Sequence, residues 1–191
     1  MQPGNAAKVF VPMCADFIHI GHVNILKGAA SKGMVTILLM TDDAMKSYKR
    51  TPKMTYGQRY SILREFSTVS EIIPCGGPDK YASMVRSHKP EYFVHGDDWK
   101  TGPQSDARRE VLQEMKKYGG HVIEPNYTKN VSSTMLQNMF MATIQESTHN
   151  GIATRGVLND LKRTPAIIEN ETGVSASAVS YTHLRAHETR G

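Results

Sequence analysis

Lys8-Val-Phe-Val-Pro-Met13, then Cys14-Ala15-Asp16-Phe17-Ile18, then His19-Ile20-Gly21-His22: this stretch decides the fold. The first six residues form an apolar run that predicts a buried strand ending in a loop. From Val23 to Lys32 apolar residues recur at Ile25, Leu26, Ala29 and Ala30, the spacing of one helical face. The two histidines therefore fall at a strand-to-helix turn. A helix start carries unpaired amide N–H groups and the positive end of the macrodipole, which favour an anion. Gly21 allows close approach of the backbone to a ligand. A single histidine in such a turn is ordinarily structural; a pair with a glycine, in the order strand, turn, helix, marks a place to hold phosphate.

Working outward, Met34-Val-Thr-Ile-Leu-Leu-Met40 is a second apolar run of strand length. Strand, helix and buried strand within about forty residues make a βαβ unit and imply a parallel sheet. The basic stretch Lys46-Ser-Tyr-Lys49-Arg50-Thr-Pro-Lys53 follows the second strand. Such a run is ordinarily a solvated surface loop. Beyond the C-terminal end of a parallel strand it is also a candidate phosphate clamp, and the residues alone allow both readings. Thr55 and Gln58 have the spacing of a capping box, opening a helix with Tyr60, Leu63 and Phe66 on one face and Arg59 and Arg64 off it.

Further strands are expected at Ser70–Pro74, Pro90–His95 and His121–Glu124, and helices at Lys80–His88 and Arg108–Tyr118, the latter stopped by Gly119-Gly120. Ser132-Ser133-Thr134 opens a last helix. The expected fold is α/β: a Rossmann-like parallel five-stranded sheet flanked by helices, with a short helical C-terminal tail. Two anion-binding helix starts, one at each end of the strand set, suit a nucleoside triphosphate bound across the sheet's C-terminal edge.

At 191 residues the chain has room for one domain and a small appendage. A net charge of +5 suits an anionic small molecule but falls short of the basic patches of a dedicated nucleic-acid binder. No apolar stretch approaches a membrane span, and Met1–Asn5 lacks the basic and apolar parts of a signal sequence. Cys14 and Cys75 fit a reducing compartment, so a cytoplasmic enzyme is expected. Cys14 reads as a small residue in a tight loop rather than a nucleophile.

These stretches together resemble the cytidylyltransferases of the H-x-G-H nucleotidyltransferase superfamily. That family pairs the histidine turn with a G-D-D-W-like stretch, here His95-Gly96-Asp97-Asp98-Trp99. A later signature follows, here Tyr127-Thr128-Lys129-Asn130-Val131-Ser132-Ser133-Thr134. The likeness runs from about Lys8 to Met139, with the motifs in order. Glycerol-3-phosphate and ethanolamine-phosphate cytidylyltransferases are similar; closer still is the cytidylyltransferase module of phosphonate biosynthesis, which loads CMP onto 2-aminoethylphosphonate. Two departures stand out. The signature's leading arginine is Tyr127 and its glycine Asn130, and the pair before the family's aspartate is Cys14-Ala15.

The resemblance implies attack by a phosphonate or phosphate oxygen on the α-phosphorus of CTP. His19, His22 and Lys49 would be catalytic. Cys14, Ala15, Asp16, Gly21, Arg50, Asp98, Tyr127, Thr128, Val131, Ser132, Ser133 and Thr134 would bind CTP, Asp16 by orienting its loop or a Mg²⁺ water and Asp98 by accepting from the cytosine amino group. Lys46, Lys80, Tyr81 and Trp99 are the candidates for the acceptor. Mg²⁺ would accompany CTP, with ligands not assigned, and relatives imply a homodimer. The domain is expected over residues 1–147. Residues 148–180 read as a linker with a helix-turn-helix-like fragment and 181–191 as an artefactual or disordered end. That fragment raises a DNA-binding appendage as a competing reading; a catalytically silent nucleotide sensor and an adenylyltransferase of the same fold are the others.

Overall fold

The computed structural model describes residues 6–48, 51–126, 128–129 and 131–149. They divide into two units, Met1–Val131 and Ser132–Gly191. In the first, strands β1 (Lys8–Met13), β2 (Met34–Met40), β3 (Val69–Cys75), β4 (Tyr92–Val94) and β5 (His121–Ile123) alternate with helices. The helices are α1 (Ile20–Ala30), α2 (Asp42–Tyr48), α3 (Tyr56–Leu63), α4 (Tyr81–His88) and α5 (Ser105–Lys116). The sheet is parallel throughout, in the order β3-β2-β1-β4-β5. This is the expected Rossmann-like α/β architecture.

Alternation along β1 divides the core between the two faces of the sheet. Val9, Val11 and Met13 pack with Leu26 and Ala29 of α1 and Leu63 of α3, whereas Phe10 packs with Tyr81 and Val85 of α4 and Val111 and Met115 of α5. The chain thus covers one face through α1 and α3, then crosses to the other after β3. The strand order reverses between β1 and β4. In open α/β sheets that reversal opens a crevice at the strands' carboxyl ends, where ligands bind. The histidine turn follows β1 and the His95–Trp99 stretch follows β4, so the fold brings both expected motifs to this edge.

In the second unit α6 (Ser133–His149) is capped by Ser132, whose Oγ accepts from the Met135 amide at 3.0 Å. The helix passes position 147, where the sequence reading ends the domain; the helix-turn-helix-like fragment and the terminal segment lie outside the described residues. No helix among the described residues is long and apolar enough to cross a membrane.

Candidate active site at the strand-order reversal

His19 is the N-cap of α1 and His22 its third residue, and both imidazoles close on amides of the helix start. His19 Nδ1 accepts from the Gly21 amide at 3.1 Å, and His22 Nδ1 accepts from the His19 amide at 3.3 Å. This is a capping box built from two histidines in place of the usual Ser/Thr and Glu. An Nδ1 that accepts cannot hold a proton, so each neutral ring carries its N–H on Nε2. Burial pushes the His19 pKa below its usual value, in keeping with a neutral ring.

The ring centroids lie 4.0 Å apart. The first turn of α1 contains no acidic residue to offset the positive helix end. The helix start thus differs in one respect from the sequence reading. The imidazoles accept from the Gly21 and His19 amides, so those two N–H groups are not turned toward a ligand. Gly21 has a second duty too: a Cβ there would sit 2.9 Å from the His19 ring.

Asp16 is buried and its Oδ1 accepts from the amides of Lys53 (2.7 Å) and Met54 (2.9 Å). These two bonds tie the turn after β1 to the segment before α3. Ala15, also buried, adopts φ +56°, which non-glycine residues seldom do. Cys14 Sγ rests 3.9 Å from Met40 Sδ, in keeping with its reading as a loop residue.

The basic stretch is partly helical, because α2 extends to Tyr48; Lys46 therefore sits on a helix, paired with Asp43 at 3.3 Å. Lys49, Arg50, Tyr127 and Asn130 lie outside the described residues. Thr128 reaches the histidine helix: its Oγ1 accepts from Asn24 Nδ2 at 3.3 Å.

Two acceptor candidates need correction. Trp99 is completely buried, stacked nearly parallel on Phe93 and on His95 (centroids 5.5 and 4.2 Å), with its indole N–H donated to Glu124 at 2.6 Å. Tyr81 is buried in the same cluster, where desolvation raises its hydroxyl pKa well above the usual value. Both side chains hold the sheet edge together and offer no surface to a substrate. Lys80 is exposed and paired with Asp79 at 2.8 Å. Asp98 is exposed in the short turn beyond β4, its carboxylate 3.7 Å from His95 Nδ1. A cavity of about 480 Å³ opens between α2, the turn after β3 and the start of α5, walled by Tyr48, Gly77, Asp79 and Asp106 among others. Among the described residues, none of the candidate site residues lines it.

Sequence reasoning missed Arg59 and Glu124. Arg59 was set off the buried face of α3, yet it is fully buried. Glu124 directly follows β5 and gathers Trp99, Arg108 (2.6 Å) and Lys100 (3.6 Å), the Arg108 guanidinium above all holding its carboxyl pKa down. Nothing local in the sequence marks Glu124, whose partners lie 16 to 25 residues away, and nothing in the helical spacing marks Arg59. Among the described residues, no three His, Cys, Asp or Glu side chains are grouped to hold a metal ion. A Mg²⁺ that arrives on nucleotide phosphates needs no such cage.

Residues 11–139 match the model of the family described as cytidylyltransferase-like, and the chain belongs to that family. Mouse ethanolamine-phosphate cytidylyltransferase is 28% identical over 130 residues, 68% of this chain and 31% of that protein. The bifunctional protein HldE of Pseudomonas putida is 30% identical over 137 residues, 69% of this chain and 27% of that one. The chain thus spans about a third of the length of these relatives. The crystal structure of the lipopolysaccharide core biosynthesis protein from Thermoplasma volcanium superposes with a TM-score of 0.53 at 20% identity, covering 66% of this chain and 99% of that one, a likeness of fold.

Proposed function

We propose that this protein transfers CMP from CTP to a small phosphonate or phosphate monoester, with 2-aminoethylphosphonate as the acceptor, and releases pyrophosphate. The observation that carries the reading is the paired-histidine cap at the strand-order reversal of a cytidylyltransferase-like domain. An acceptor oxygen attacks the α-phosphorus in line, and the bond to the pyrophosphate oxygen breaks. That oxygen is already anionic at neutral pH, so no general base is needed, and catalysis is positioning plus charge stabilisation.

The Nε2 hydrogens of His19 and His22 donate to phosphate oxygens as their charge grows. Lys49 and Arg50, read from sequence, neutralise the phosphates, with Lys46 on the adjoining helix. The hydroxyls of Ser132, Ser133 and Thr134 are assigned to the outer phosphates on the motif alone. Mg²⁺ travels with CTP and supplies charge neutralisation. Asp98, exposed beside the crevice, accepts from the cytosine amino group and disfavours uracil. The working form is taken as a homodimer, and the compartment as the cytoplasm.

Ethanolamine phosphate is the second acceptor, favoured by the names of the relatives. The test is pyrophosphate release with each of the four nucleoside triphosphates, Mg²⁺ and a panel containing 2-aminoethylphosphonate, ethanolamine phosphate and glycerol 3-phosphate. Release with CTP and 2-aminoethylphosphonate is expected. Release with ATP but never with CTP would overturn the base assignment, and release only with a phosphate ester would overturn the acceptor.

A further inference from the structure

A charged side chain with no exposed surface is held by whatever it bonds. Arg59 bonds three segments at once. Its Nη2 donates to Asp42 Oδ1 at 2.7 Å, at the start of α2; its Nε to the Met54 carbonyl at 3.2 Å, before α3; its Nη1 to the Cys14 carbonyl at 2.5 Å, just after β1. Its guanidinium carbon also lies 5.7 Å from the centre of the Tyr56 ring.

Asp16 makes the opposite tie, its carboxylate accepting from the Lys53 and Met54 amides. Residues 14 and 16 are thus fastened to the same two-residue stretch from both sides. Between the two ties sits Ala15, with its left-handed backbone. An alanine keeps that conformation only when its surroundings impose it. Three residues beyond Asp16 comes His19, the N-cap of α1.

We propose that Arg59 is a positioning residue: by holding the Cys14 and Met54 carbonyls together it imposes the left-handed turn at Ala15 and thereby sets where the His19 imidazole sits. It reaches no substrate itself, being wholly enclosed. Its effect on turnover rests on the CMP-transfer reading; its effect on His19 does not. A guanidinium is suited to the task because its planar fork reaches separate acceptors at fixed angles, which an ammonium cannot do.

Arg59→Lys keeps the charge and loses the fork. In the full chain, two-bond ¹H–¹⁵N correlation of the imidazoles reads the tautomer of His19, assigned by the signal missing from His19→Asn. The Nε2–H form is expected in the starting protein, and a mixture of tautomers in Arg59→Lys. Ala15→Gly, which makes the left-handed turn intrinsically easy, should restore the single form in the Arg59→Lys, Ala15→Gly double variant. In parallel, Arg59→Lys should lower kcat tenfold or more, and by at least threefold less when introduced into Ala15→Gly than into the starting protein. An unchanged His19 signal in Arg59→Lys overturns the proposal, as does a tautomer mixture that Ala15→Gly leaves in place. Should Arg59→Lys not fold, Asp16→Asn, which weakens the opposite tie, must shift the same His19 signal, and the proposal fails if it does not. If the imidazole responds as expected while no acceptor gives pyrophosphate with CTP, the positioning role stands and the transfer reading falls.

Discussion

Asn24 and Thr128 stand 104 positions apart in the chain, yet Asn24 Nδ2 donates to Thr128 Oγ1 at 3.3 Å. The bond joins the helix that begins at the paired histidines to the segment after β5. Thr128 also faces the helix start, since a Cβ on Gly21 would lie 3.6 Å from its Cβ.

An exposed neutral hydrogen bond of this kind contributes about 0.5–1 kcal/mol. Asn24→Ala and Thr128→Val should each change the melting temperature little. If Thr128 is seated for CTP by this contact, both variants raise the KM for CTP about three- to tenfold, and the double variant is no worse than the poorer single one. Fully multiplicative effects would mean that the two side chains act separately.

The capping role and the donor role of His19 can be separated. Asparagine is among the best N-cap residues, so His19→Asn keeps a side-chain acceptor for the first turn while removing the Nε2 hydrogen. Its melting temperature should stay near that of the starting protein, whereas turnover falls by about 2.7–4 kcal/mol in activation free energy, the loss typical of a removed oxyanion donor. His19→Ala should lose the same activity and about 1 kcal/mol of stability as well. Full turnover in His19→Asn would remove the imidazole from the chemistry and leave it a cap.

Much of this arrangement was legible in the sequence because it is local. The runs at Lys8–Met13 and Met34–Met40 became β1 and β2 as read, and the Thr55–Gln58 capping box forms. What sequence could not reveal depends on non-local partners. Arg59 is charged and sits early in α3, so local polarity sets it outward; only the carbonyls of Cys14 and Met54 and the carboxylate of Asp42 make its burial affordable. Trp99 reads as a substrate platform in a Gly-Asp-Asp-Trp stretch, but its ring is claimed by Phe93, His95 and Glu124, which belong to two strand ends. The two histidines were legible as a pair, but their closing on the Gly21 and His19 amides required the helix phase to be known.

Trp99 is the one tryptophan in the chain, which makes its burial measurable. Its emission should be blue-shifted and resist quenching by iodide, and a saturating acceptor should leave it unchanged. Glu124→Gln weakens the carboxylate's hold on Arg108 and Lys100, so unfolding followed by this fluorescence should occur at a lower temperature. Strong iodide quenching of the folded protein would place the indole back at the surface.

Acid should destabilise the fold through two of its imidazoles at a milder pH than through Glu114. Burial lowers the pKa of His19, and it lowers that of His95 despite the bond from its Nδ1 to the Gly96 carbonyl at 2.9 Å. The unfolded chain therefore binds more protons than the folded one at pH values below the ordinary imidazole value of about 6.5. Unfolding free energy rises with pH wherever that holds, so stability is complete above about pH 6.5 and declines as the pH falls below it. Glu114 acts later: Arg86 and Lys117 hold it down to about 2, so its contribution fades only below its ordinary value of 4.5. Melting temperatures between pH 7.5 and 5 should thus fall with acidification. His95→Phe, which keeps an aromatic ring against Trp99 but cannot titrate, should flatten the slope, and His19→Asn should flatten it further. A melting temperature that rises on acidification, or an unchanged slope in both variants, would show that these rings are as easily protonated in the folded chain as in the unfolded one.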